Sequence, residues 1–306
     1  MCRSDRSPTR GYIDVKFGLF IFPTDQSATV ATVARHGEGL GFESVFVPEH
    51  SHIPVQFASP PPMGGTLPAE YSRIVDPFIA LAAASAVTTR IRLGTAICLV
   101  VERDPIWLAK QVATLDHVSG GRFEFGVGAG WNLEEMRNHG TDPTRRFALM
   151  RERMLAMQEI WNHDEAEFHG EHVDFDPIHA WPKPVQLPRP PVHLGGAGPR
   201  VFHRVVEYGD GWMPNVSSVR DRLSGLIQEL HELAAEAGRP RPIVTLLSEG
   251  SDSEASLGRA PKLDTIREFA AAGVDRCLFR LPSDSEPEVL GIIDHVAKVV
   301  RDFGDG

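Results

Sequence analysis

Short, almost wholly apolar runs recur along this chain, each followed by a longer amphipathic stretch, and this alternation restricts the fold most. FGLFIF (Phe17 to Phe22) is apolar throughout and predicts a buried strand. Ser27 is expected to cap a helix reaching about Leu40, bounded by Gly39 and Gly41. Ser44 to Val47 predicts the second strand, and Asp76 caps the helix PFIALAAASAVTT. IRLGTAICLV is the third strand; Asp104, with Pro105 at the first helical position, opens a helix ending near Gly120. RFEFGVGAG, PVHLGG, GWMPN, IVTLLSE and CLFRLP follow as strands four to eight. Their helices run from about Arg145 to Trp161, Pro199 to Glu207, Val219 to Ala237, Lys262 to Ala272 and Glu286 to Phe303. Strands that are apolar on both faces and alternate with helices make a parallel sheet covered outside. Eight such units close into an α/β (β/α)8 TIM barrel. An open doubly wound sheet is the competing arrangement, but the sequence shows no topological switch.

Two stretches break the rhythm, near residues 51–75 and 163–190, both crowded with proline. They are expected to be insertions on one barrel domain spanning residues 16–306, with residues 1–15 a flexible extension. The formal net charge is −10 and no basic block occurs, so neither nucleic acid nor an anionic membrane is an expected partner. Cys2, Cys98 and Cys277 are odd in number and widely spaced, which suits a reducing, cytoplasmic setting. No apolar run approaches the ~18 residues of a spanning helix, and the opening residues lack the apolar middle of a signal peptide. PFIALAAASAVTT is apolar nearly all round, so it should be buried on more than one side. A homodimer through this helix is one route to that.

Barrel enzymes place their chemistry at the carboxyl ends of the strands. There the chain offers mostly apolar and glycine-rich segments with few ionisable groups, a mixture that suits a flat conjugated cofactor and a small-molecule substrate. After strand five, Gly195, Gly196, Ala197, Gly198 and Pro199 let the backbone approach a ligand at a helix start, where N–H groups and Arg200 would cradle a phosphate. A turn that binds nothing is the alternative. After strand four, Ala129, Gly130, Trp131 and Asn132 follow G-x-G spacing, but no dinucleotide fingerprint is completed. Close approach to a ring system, or tight packing alone, both remain open. Glu49-His50-Ser51-His52 follows strand two: His50 is the candidate acid or base, Glu49 its orienting partner, and His52 a pocket residue. A metal pair is the other use of His50 and His52. No metal is expected, because His193 lies inside a strand and Pro282 closes strand eight. Cys98 has no base nearby in sequence, so packing is its expected role as a thiol. Trp212, at strand six, is expected to line the substrate pocket.

FVPEH, LGTAICLV with RDPIWLAKQVATLDHVSGGRFEFGVGAGWN, and VHLGGAGPRVFHRVVEYGDGWMP together resemble the luciferase-like flavin-dependent monooxygenase superfamily. More narrowly they are similar to its coenzyme F420-dependent oxidoreductases. The resemblance covers Phe17 to about Leu281 and is most specific from Leu93 to Asn132. It implies a barrel, usually dimeric, holding F420 or FMN at its carboxyl end and transferring hydride to or from a small organic substrate. It places Glu49 and His50 beside the ring, a bulge at Ala96-Ile97 and Cys98 behind it, and the phosphate on Gly195 to Pro199. Many relatives carry Asp where this chain has Glu49. Sugar-phosphate-oxidising relatives carry Glu where this chain has Trp131, which argues against that substrate class. An FMN monooxygenase using oxygen and a reductase partner is the alternative within the fold; a metal-dependent hydrolase and a flavin-binding protein without turnover are alternatives outside it.

Overall fold

In a computed structural model, described for residues 15–62, 64–248 and 262–304, eight parallel strand positions close into a barrel. The elements run β1 (Lys16–Phe20), α1 (Val30–Leu40), β2 (Ser44–Val47), α2 (Pro77–Ser85), β3 (Arg92–Thr95), β4 (Cys98–Leu99), α3 (Pro105–Val118) and β5 (Phe123–Gly128). They continue with α4 (Leu133–Asn138), α5 (Arg146–Asn162), β6 (Ala166–His169), β7 (Asp174–Ile178), β8 (Val192–Gly195), α6 (Val201–Tyr208) and β9 (Gly211–Met213). Last come α7 (Val216–Val219), α8 (Leu223–Glu236), β10 (Ile243–Ser248), α9 (Leu263–Ala272), β11 (Arg276–Arg280) and α10 (Glu286–Gly304). Closure comes from β1, which pairs in parallel with β2 on one side and β11 on the other. The open doubly wound sheet is thereby excluded.

Local chemistry explains most boundaries. Asp76 and Asp104 cap α2 and α3 by accepting from the N–H groups of Ile79 and Trp107, each with proline at the helix start. The cap of α1 is Thr29, not Ser27, whose hydroxyl instead accepts from Thr24 N–H and closes the preceding turn. Strand three is split into β3 and β4 around a cis Ala96–Ile97 peptide. Residues 163–190 hold the antiparallel hairpin β6–β7, and Pro177 is tolerated there because a two-stranded ribbon has only edge strands. The expected helix from Val219 to Ala237 is α7, a 3-10 turn and α8 in succession. Val15 is buried in the core, while residues 1–14 of the expected extension lie outside the described residues.

Two apolar layers result. The larger lies between strands and helices, and a smaller one fills the barrel with Phe20, Phe22, Phe46, Tyr71, Met213 and Leu278 among others. Gly94 makes room for the Phe46 ring, since a Cβ there would stand 2.1 Å from Phe46 Cε1. Below Phe46 the barrel floor is charged: Arg276 donates to both oxygens of Glu124 at 2.7 and 2.9 Å, and His193 Nε2 stands 2.8 Å from Glu124. Above Phe46 the barrel opens into a cavity. Outside, α2 packs on α1, α3 and β3 but leaves Ile79 74% exposed, and Trp107 on the neighbouring α3 is 70% exposed. Among the described residues no helix is long and apolar enough to cross a membrane.

Candidate active site

The cavity at the carboxyl end of the strands has a volume of about 320 Å³, within the usual range for small-molecule sites. Apolar walls come from Phe20 and Phe22 at and just after the end of β1, from Ile97 and Leu99 at the strand-three break, and from Met213 and Leu247. The break carries Ile97 inward. Its side chain fits only because Gly128 and Gly195 lack side chains: a Cβ at either would approach Ile97 to 2.7 or 2.8 Å.

His50 stands in this wall between Glu135 and Trp131. Its Nδ1 is 2.6 Å from Glu135 Oε2, and both side chains are buried. Its Nε2 accepts the indole N–H of Trp131 at 3.2 Å. An indole nitrogen can only donate, so Nε2 carries the lone pair and the ring proton sits on Nδ1, donated to Glu135. Tyr71 and Trp131 enclose the ring at 5.4 and 5.7 Å between centroids. The orienting carboxylate is therefore Glu135, not Glu49. Asn132 caps α4 by accepting from Glu134 and Glu135 N–H, which aims the Glu135 side chain at His50. Glu135 Oε1 is held in turn by Ser51 N–H at 3.0 Å.

Glu49 lines the cavity wall, but both its oxygens are engaged behind it. Leu99 N–H donates to Oε2 at 2.6 Å, and Arg103 Nε donates to Oε1 at 2.5 Å. Arg103 also reaches Asp76 at 2.7 Å and lies over the Phe78 ring. Glu49 thus fastens the strand-three break to the barrel, its carboxylate held by the Leu99 N–H and the Arg103 guanidinium. Burial outweighs the Arg103 charge at neighbouring Glu102, which with the repulsion of Glu135 and Glu49 pushes its carboxyl up to about 9.

Ala96, Ile97, Ala129, Gly130, Trp131, Gly195, Gly196 and Ala197 line the cavity with Glu49 and His50. Other expected residues do not. Cys98 points from its strand into the outer core, fully buried, where burial and the Glu49 charge raise its thiol pKa. Trp212 is fully buried against Phe202 and donates to Gly196 O at 2.7 Å; strand alternation sends Met213 into the cavity in its place. Asn132 is a helix cap. Gly198 and Pro199 lie outside the lining, and His52 turns outward to Ser51 and Asn138. Unforeseen lining comes from Tyr71, Phe147 and Ser218, and the strand ends add Pro48 and Asn215. The capping pattern Asn132-x-x-Glu135 was the one local signal for α4. Beyond β8, Gly196 takes φ +101°, Val201 N–H donates to Gly198 O at 3.0 Å, and Arg200 gives the start of α6 no side-chain cap. Among the described residues no group of three His, Cys, Asp or Glu side chains could hold a metal ion.

The luciferase-like monooxygenase family matches residues 15–251, and the chain belongs to it. It is 41% identical over 286 residues to an uncharacterised protein of Mycobacterium tuberculosis, covering 92% of this chain and 97% of that one. A monooxygenase from Streptomyces bottropensis shares the fold at TM-score 0.77 and 20% identity, covering 94% of this chain and 99% of the other. An F420-dependent secondary alcohol dehydrogenase, solved with an F420-acetone adduct, does so at TM-score 0.74 and 21% identity, covering 95% and 99%. Similar proteins thus include F420-dependent enzymes, and an FMNH2-dependent monooxygenase is also among them. The family is one of oxidoreductases.

Proposed function

We propose that this protein transfers hydride between coenzyme F420 and a small hydroxyl- or carbonyl-bearing substrate. The observation that carries the reading is the buried His50–Glu135 pair, with His50 Nε2 at the cavity. The apolar walls and the open glycine turn at Gly195, Gly196 and Ala197 fit a flat ring with an anionic tail, which α6 would receive at its uncapped start. When bound, the deazaflavin supplies the two-electron chemistry. The protein's share is to fix the ring's face against Ile97 and to exclude water with Phe20, Phe22, Tyr71 and Trp131. Substrate would displace the Trp131 indole N–H from His50 Nε2, which accepts the hydroxyl proton when an alcohol is oxidised and returns it when a carbonyl is reduced. Glu135 stabilises the imidazolium that forms.

Fluorescence titration with F420 and with FMN tests this directly. Tighter binding of F420, followed by its bleaching on addition of alcohols without oxygen, is the expected result. Preference for FMN, with oxygen consumed only when a flavin reductase is added, would move the protein to the monooxygenase alternative. We also propose that a second copy covers the exposed apolar residues Ile79, Ile106 and Trp107 on α2 and α3. Light scattering should then find a dimer that Trp107→Glu converts to monomer. A monomeric wild type would remove that proposal.

A further inference from the structure

Behind the cavity, the Glu135 oxygen that does not face His50 meets a cluster of side chains the hydride-transfer reading does not use. Ser51 Oγ lies 3.4 Å from Glu135 Oε1, 2.6 Å from His139 Nε2 and 2.8 Å from His52 Nδ1. His52 Nε2 lies 2.8 Å from the amide nitrogen of Asn138, which can only donate. The His52 proton is therefore on Nδ1 and is given to Ser51 Oγ. With one lone pair of Oγ so engaged, the Ser51 hydroxyl donates either to Glu135 Oε1 at 3.4 Å or, once that carboxyl is protonated, to His139 Nε2 at 2.6 Å. His50 and Glu135 are buried, while Ser51 and His139 are exposed.

We propose that Ser51 and His139 form a proton relay joining the buried His50–Glu135 pair to solvent; its catalytic use rests on the function proposed above. The steps balance as follows. His50 Nε2 takes the substrate proton to form the imidazolium, which then passes its Nδ1 proton to Glu135 Oε2 and returns to neutral. The carboxyl turns its proton to the Oε1 side and gives it to Ser51 Oγ, as the Ser51 hydroxyl proton passes to His139 Nε2. His139 releases its own proton to water. One proton leaves the cavity and every charge is restored; His50 and His139 are left with the ring proton on Nε2, and its return to Nδ1 completes the cycle. The 3.4 Å contact is the long link, and a protonated Glu135 would shorten it, since such bonds tighten in the working complex.

The surroundings of His139 suit a transient carrier. Facing it are His52, Glu135, Glu49 and Arg103, with Glu102 Oε2 at 3.8 Å. Burial and the neighbouring His52 lower its pKa against the pull of Glu135 and Glu49, so the proton is passed on and not retained. Glu102, itself protonated up to about pH 9, does not trap the proton as a counter-anion.

The unliganded protein, labelled with nitrogen-15 in its histidines, supplies the test. The proton on His50 Nδ1, identified by its loss in His50→Gln, should exchange with water through Ser51. Ser51→Ala and His139→Gln should each slow that exchange by roughly tenfold or more, and Ser51→Thr, which keeps the hydroxyl, should restore it. A wild-type exchange rate in Ser51→Ala, or loss of the His50 signal that Ser51→Thr does not reverse, would overturn the relay. No cofactor enters the measurement, so a relay that exchanges as expected in a protein that binds neither F420 nor FMN would reject the function and keep the relay.

Discussion

His50→Ala should lower kcat for hydride transfer by roughly 10²–10⁴, with much less change in F420 affinity. The imidazole is the base proposed above, whereas the ring would be held by the apolar walls and the turn beyond β8. Glu135→Gln should cost about as much, although it changes only a few atoms. Ser51 N–H donates to Oε1, so the new amide oxygen is drawn to that side and its NH2 group to His50 Nδ1. Nδ1 would then have to accept, moving the ring proton to Nε2, where it opposes the indole N–H of Trp131. A wrong tautomer of this kind disables a base without moving it. Nitrogen-15 shifts of the His50 ring would report the exchange of tautomers, and single-turnover bleaching of F420 would report the rate. Wild-type turnover in His50→Ala would end the assignment. Unchanged tautomer and rate in Glu135→Gln would show that the carboxylate charge does nothing for the imidazole.

The barrel was legible because its strands are covered on both faces, so burial alone writes eight apolar runs into the chain. Asp76-Pro77 and Asp104-Pro105 were equally plain, since a cap and a proline act within one turn. His50 could be found because a strand end is a position that sequence locates. Its partner could not. Glu135 sits on a six-residue helix, too short for any period to show, and 85 positions away along the chain. Glu49 was the nearer acid, but the folded chain gives both its oxygens to Leu99 and Arg103. The Trp212 expectation failed on parity: in a strand of three residues one step decides between cavity and outer core, and here Met213 took the cavity. Cys98 failed similarly, because strand three is interrupted between β3 and β4 and Cys98 falls on the outer-core side. Both errors are of register, which apolar runs without alternation do not encode.

Replacing Arg276 by Met should be the most damaging single change to stability, at about 3–5 kcal/mol, because it orphans a buried carboxylate. Glu124 is 3% exposed at the barrel floor and Arg276 5%. Burial by itself would raise the Glu124 pKa, but the Arg276 guanidinium and His193 hold it well below the ordinary carboxylate range. Arg276 also lies over the Phe46 ring, so the charged floor and the cavity's apolar base settle together. The depressed pKa means that Glu124 contributes stability above the unfolded carboxylate range, and that this is lost as pH falls through its folded pKa. Without Arg276 the sign reverses: burial prevails, Glu124 is pushed toward the protonated form, and the defect relative to wild type is largest in alkali and smaller in acid. Arg92 still touches Glu124, but it is itself 30% exposed and cannot replace the pair inside the floor. Adding Glu124→Gln to Arg276→Met removes the orphaned charge and should recover part of the loss. Urea unfolding of the three variants across pH measures all of this. A single variant as stable as wild type, or a defect that grows on acidification, would show that the floor is held by apolar packing and that its ion pair contributes nothing.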